Sequence, residues 1–116
     1  MNRDREIAAR MLETAREMVE LARRGQFRAD PVLVERIHLR AIFFAESAER
    51  LSPGFKSRYP SMWKTVQRFR NLVVHEYLLV DPDDLWKFIR DDLPATVSLL
   101  RKARFPKNAI DELASH

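Results

Sequence analysis

The sequence predicts an all-α domain, an up-and-down bundle of four main helices plus a short connector helix. Three observations point to it. Apolar residues recur at three- and four-residue steps through four long stretches. Only two glycines punctuate 116 residues, too few for the many turns of a sandwich or barrel. Asp-Pro or Ser-Pro pairs at 30–31, 52–53 and 81–82 stand where helices would begin, with the polar residue as cap and proline at the first helical position.

The first helix is expected from Arg3 to Arg24, with Ile7, Met11, Ala15, Met18, Leu21 and Ala22 as its apolar face. Arg23 and Arg24 suit the negative end of its dipole, and Gly25 is the expected stop. A short loop leads to the Asp30–Pro31 start. The second helix should run to about Arg50 on Val34, Ile37, Ala41, Phe44, Ala45 and Ala48. Leu39 and Phe43 widen that stripe, which suggests two burial partners, the chain's own core and another subunit. Ser52–Pro53 opens the connector, limited by Gly54 and Pro60. Ser61 is a further cap candidate for a third long helix from Met62 to Tyr77, carrying Trp63, Val66, Phe69 and Val73. The last main helix starts at Asp81–Pro82, with Leu85, Phe88, Ile89, Leu93, Val97 and Leu100 inward. Pro94 removes a donor there, so a kink or break is expected near Leu93. Both tryptophans, Trp63 and Trp86, stand at helix-face positions that suit core packing, and His38 reads as structural or interfacial. Residues 1–104 form one domain in this reading, and 105–116 a short tail.

Composition narrows the function. Apolar residues make up 46% of the chain, enough for a core. No apolar run reaches the ~18 residues that span a membrane, and the charged start "MNRDREIAAR" has no signal-peptide core after it. The expectation is a cytoplasmic protein. Cysteine is absent, which removes disulfides and thiolate chemistry. His38, His75 and His116 share no ligand spacing, so neither a metal nor a cofactor is expected. Phosphate-cradling glycine loops and the familiar hydrolase motifs are missing.

The net charge of +4 permits a nucleic-acid partner without requiring one. Its distribution says more. Lys56, Arg58, Lys64, Arg68 and Arg70 fall between Leu51 and His75 with no acid among them. The segment reads either as a phosphate-attracting patch, with Lys64 and Arg68 as substrate contacts, or as a solvated surface. Within it stands "RNLVVHEY", residues 70–77. On a helix Asn71 and His75 share a face, whereas Arg70 and His75 are ~140° apart. One straight helix therefore assembles a compact site poorly; the length of arginine bridges part of the gap, and a bend, or a second copy across a two-fold axis, would do better. The group types suit phosphodiester cleavage. Histidine can take or give a proton near neutrality, and arginine can hold a phosphate through two hydrogen bonds. The same residues also read as ordinary structural and solvated side chains of a helix.

The longer string "RFRNLVVHEYLLVDPDDLWKFIRDDLP" resembles the HepT family of HEPN-domain proteins, the toxin halves of HepT/MNT toxin–antitoxin pairs. The family's R-x4-H-x-Y motif matches Arg70, Asn71, His75 and Tyr77, followed here by Val80–Asp81, Trp86 and Asp92–Pro94. Upstream, "AIFFAESAERL" is similar to the family's second-helix segment, with Glu46–Ser47 at its centre. The likeness covers roughly residues 4–102. One departure is visible. A Gly-Met pair often precedes the Arg-Asn, and Arg68–Phe69 stands here, so a more crowded or more basic mouth is expected.

The resemblance implies a HEPN-like homodimer with the motif at the subunit cleft. It implies metal-independent endoribonuclease activity in a type VII-like toxin–antitoxin system. Arg70 and His75 would be the active pair, Asn71 an orienting residue and Tyr77 the modification site. The implied partners are RNA and a small MNT-type nucleotidyltransferase antitoxin, which would transfer AMP to Tyr77 and block Arg70 by occupancy and charge. A non-catalytic nucleotide-binding accessory subunit of a nucleotidyltransferase is the alternative, and a purely structural helical dimer the third. Glu46 is expected near enough to pair with Arg70 or His75.

Overall fold

The structure is a computed structural model that describes residues 3–24, 26–75 and 81–105. Helix α1 spans Arg3–Ala22, α2 Pro31–Glu49, α3 Pro53–Arg58, α4 Pro60–His75, α5 Pro82–Lys87 and α6 Leu93–Lys102. A 3-10 turn, Phe27–Ala29, precedes α2, and a π-helical turn, Phe88–Asp92, joins α5 to α6. The fold is all-helical, with α1, α2, α4 and the α5–α6 unit as the four main members and α3 as the connector. Gly25, the expected stop of α1, lies outside the described residues, as does the tail beyond Phe105.

The starts are chemically specified. The Asp30 carboxylate accepts from the N–H groups of Val32 and Leu33, and proline follows it. Asp81 does the same for Asp83 N–H. Ser52 Oγ accepts from Phe55 N–H while donating to Asp4 Oδ2 at 2.6 Å, so the cap of α3 also ties down the start of α1. Each such cap satisfies a donor that the helix leaves orphaned, worth about 1 kcal/mol. The Ser61 expectation is corrected. Helix α4 begins at Pro60, two residues before the expected Met62, where the fixed φ of proline already suits a first turn, and Trp63 N–H bonds Tyr59 O at 3.1 Å.

Helix α1 packs along α2, α2 packs on α4, and α6 closes against α1. The core between them holds Met11, Met18, Ile37, Phe44, Phe55, Val66, Leu85 and Leu100, all essentially inaccessible. Burying each large side chain contributes roughly 1.5–3 kcal/mol. The break expected near Leu93 is the π turn: Leu93 N–H reaches back five residues to Phe88 O, and α6 restarts with Pro94 in its first turn. Thr96 Oγ1 donates to the Asp92 carbonyl oxygen at 3.2 Å, serving an acceptor beside the break. Trp63 and Trp86 pack, partly buried, against the core. Among the described residues no helix is long and apolar enough to cross a membrane.

Candidate functional site

Helix α4 carries the motif. Lys64, Arg68, Asn71 and His75 follow one another at steps of four, three and four residues, so their backbone positions form one stripe along the helix. Lys64, Arg68 and Asn71 are exposed on it. Arg70 stands about 100° from Asn71 and turns the other way, onto α2. Its Nε lies 3.2 Å from Glu49 Oε1 and 3.9 Å from Glu46 Oε1. That nitrogen is shielded from solvent and has no aligned hydrogen-bond partner among the described residues, so the contact with Glu49 is Coulombic rather than a well-aimed bond. Tyr77 lies outside the described residues, as do the side chains from Leu72 to His75.

Glu49 also meets Lys56. Lys56 Nζ donates to the Glu49 carbonyl oxygen at 2.8 Å, lies 3.9 Å from its carboxylate and sits 4.2 Å above the Trp63 ring. This corrects the phosphate-attracting patch as expected along the chain. The segment from Leu51 to His75 is free of acids in sequence, but in space two α2 glutamates neutralise Lys56 and Arg70. On α4, Lys64 and Arg68 make no ion pair among the described residues, although Asp84 and Asp92 share a cleft with Arg68. The pairing of Glu46 with Arg70 was expected; the nearer partner, Glu49, was not. The signal for it was the spacing of Glu46 and Glu49, three residues apart and therefore neighbours on one side of α2.

Arg68 borders a cleft of about 290 Å³ between α4 and the α5–π segment, with Thr65, Phe69, Asp84, Lys87, Phe88 and Asp92 around it. Lys87 and Asp84 come from a helix that sequence spacing could not relate to Arg68. The crowding expected from Phe69 does not arise. Phe69 is 3% exposed and stacks on Phe88, with ring centroids 3.5 Å apart and planes 10° apart. An aromatic side chain at this position fills the core, and its neighbour Arg68 is exposed. Among the described residues no group of three His, Cys, Asp or Glu side chains could hold a metal ion.

This geometry offers an arginine held on one face, and polar and basic positions on another, at the end of one helix. A helical bundle built this way is the frame of a HEPN-like domain, and the chain belongs to the Ribonuclease HepT-like family, whose pattern it matches over residues 8–103. It is similar to the protein named "Putative RNase MJ1380" of Methanocaldococcus jannaschii, 24% identical over 88 residues that cover 72% of this chain and 81% of that protein. It is also similar to "Probable ribonuclease HepT" of Thermococcus cleftensis, 30% identical over 60 residues, 51% of this chain and 54% of that one. No solved structure matches it significantly.

Proposed function

We propose that the chain is a metal-independent endoribonuclease toxin that works as a homodimer and is neutralised by a nucleotidyltransferase antitoxin. Family membership supports the ribonuclease reading. The observation that carries the dimer is the split of the motif. Arg70 faces α2, while Asn71 and the backbone position of His75 lie on another side of α4. A second copy can bring an arginine of one chain to a histidine of the other.

The surface for that copy is on α2. Val32, Leu39 and Phe43 are 57%, 59% and 53% exposed and fall within about 40° of one another on the helix. Glu46, beside Arg70, continues the same stripe. A two-fold contact along this stripe therefore ends at the arginine.

In the mechanism, one His75 removes the proton from a 2′-hydroxyl. The freed oxygen attacks the adjacent phosphorus, the bond to the 5′ oxygen breaks, and a protonated His75 of the other copy supplies the proton to the departing oxygen. The products are a 2′,3′-cyclic phosphate and a 5′-hydroxyl. Arg70, oriented at Nε by Glu49, offers its two terminal nitrogens to the phosphate oxygens. Asn71 orients the phosphate, and Lys64 and Arg68 hold the flanking strand. An AMP attached to the Tyr77 oxygen would place a phosphate and a base beside Arg70 and exclude RNA by charge and occupancy.

The test is cleavage of RNA by the purified protein in EDTA, with analysis of product ends. Activity should persist without divalent metal, leave cyclic phosphate ends, and fall by about a hundredfold or more in His75→Ala and Arg70→Ala. A purified protein that binds nucleotide yet cuts no RNA, and is harmless to growing cells, would overturn the reading in favour of an accessory subunit. Mass spectrometry after co-expression with the antitoxin tests Tyr77 through an AMP-sized addition that Tyr77→Phe removes.

A further inference from the structure

We infer that the cleft between α4 and the α5–π segment reads a guanine base of the RNA beside the scissile phosphate, through the Asp92 carboxylate and the Lys87 ammonium. The inference rests on the ribonuclease reading for the class of ligand, and it names the base that such a site prefers. Among the described residues, the cleft of about 290 Å³ sets Arg68 of α4 against Asp84, Lys87 and Asp92, over the stacked rings of Phe69 and Phe88. A volume at the lower limit of small-molecule sites suits one planar base rather than a whole nucleotide cofactor.

Both signs of charge line this cleft, and that sets the chemistry it takes. A bare phosphate would meet two carboxylates there. A ligand that offers donors and acceptors together is matched by both signs. Unstacked RNA bases are such ligands, and proteins read them on their hydrogen-bonding edges. Guanine is the base that places two N–H donors, N1 and N2, side by side, with its O6 acceptor next on the same edge. An ionised carboxylate accepts at both oxygens and takes that donor pair in two parallel bonds, while an ammonium donates to O6. Adenine and cytosine offer one amino group beside a ring acceptor, and uracil one ring N–H between two carbonyls. Each of these leaves a carboxylate oxygen facing no donor.

Local structure turns Asp92 to this task. It stands at the cap of α6, where an aspartate ordinarily accepts from the first N–H groups of the helix, yet its carboxylate makes no cap hydrogen bond. The nearest donors are gone: Leu93 N–H is taken by Phe88 O in the π turn, and Pro94 has no N–H. The π turn also winds less per residue than the ~100° of an α-helix, which keeps Asp92 on the side of Asp84 and Phe88. Turns of this kind recur at functional sites. Asp92 is half-buried, and a carboxylate partly withdrawn from water makes the stronger hydrogen bond. Asp84 is exposed and repels phosphate, so the strand's backbone lies towards Arg68. Arg68 precedes His75 by seven residues, about 10 Å along α4. The base read therefore belongs to a nucleotide flanking the cleaved bond.

The experiment measures affinity by fluorescence anisotropy in the His75→Ala background, with oligouridine strands that carry a single guanosine, inosine or adenosine. Inosine differs from guanosine only in lacking the 2-amino group. The parent should bind the guanosine strand about tenfold more tightly than either of the others. Asp92→Asn keeps the side-chain size and should abolish that preference, with the inosine strand bound as before. Lys87→Gln should weaken the guanosine and inosine strands alike, since both carry O6. Asp91→Asn is the control. Its carboxylate is held by Arg90 at 2.8 and 3.0 Å and does not line the cleft, so the preference should stay. Equal binding of guanosine and inosine strands by the parent overturns the inference without recourse to any variant. A preference that Asp92→Asn retains overturns it too. A preference that depends on Asp92, in a chain whose wild type cuts no RNA, upholds the cleft and rejects the ribonuclease reading. Cleavage of RNA with no preference for guanosine rejects the cleft and keeps the ribonuclease. A parent that binds no RNA rejects both.

Discussion

Glu49 is the residue on which the site's electrostatics turn. It faces two cations, Arg70 at 3.2 Å and Lys56 at 3.9 Å, and all three side chains are only partly exposed. Pairs of this kind contribute at most about 1 kcal/mol to stability, so its main consequence is orientation. Glu49→Ala should leave the melting temperature within a few degrees and lower RNA cleavage by about tenfold, because Arg70 then samples other rotamers. Glu49→Gln keeps an oxygen at the same place and should recover part of that loss. Equal cleavage by wild type and both variants would remove Glu49 from the mechanism. Its role was hard to read along the chain because the acid and the cations lie on different helices, and only the α2–α4 packing sets their separation.

At the scale of elements, α4 is held in place by aromatic contact close to the motif. Phe88 stacks on Phe69 and meets Phe44 edge-on at 6.2 Å. Phe88→Ala should cost roughly 3–5 kcal/mol in denaturant unfolding, through lost transfer energy and the cavity left behind. It should also depress cleavage, since Phe69 immediately precedes Arg70. The cap of α2 is a smaller and separable element. Asp30→Ala should lower stability by about 1 kcal/mol, with little effect on cleavage, and Asp30→Asn should restore most of it. The caps at Asp30, Ser52 and Asp81 were legible because they need only a short-range pattern of side-chain oxygen and proline. The exact form of the break before Pro94 was not, since a missing donor can be met by a kink, a turn or the π register seen here.

At the scale of the whole molecule, the stripe on α2 that is exposed among the described residues bears on the proposed assembly. An apolar residue exposed singly is ordinary, but Val32, Leu39 and Phe43 repeat at the spacing of a helix–helix seam. In light scattering the wild type should show twice the chain mass. Leu39→Glu with Phe43→Glu should give a monomer with unchanged helical content and at least a hundredfold less cleavage. A monomeric mutant that still cuts RNA at the wild-type rate would show that Arg70 and His75 need no second chain.

The sequence by itself determined the helical class, the order of the elements, the capped starts, the inward faces and the motif with its family. Those follow from short-range periodicity and from residue types whose physics is local. Tertiary structure decided how the charges are distributed. It set Glu46 and Glu49 against Arg70 of α4, set Glu49 also against Lys56 of α3, and sent Phe69 into the core. These are relations between helices. Coulomb attraction and packing act across space, so residues far apart in the chain become neighbours only once the bundle has closed.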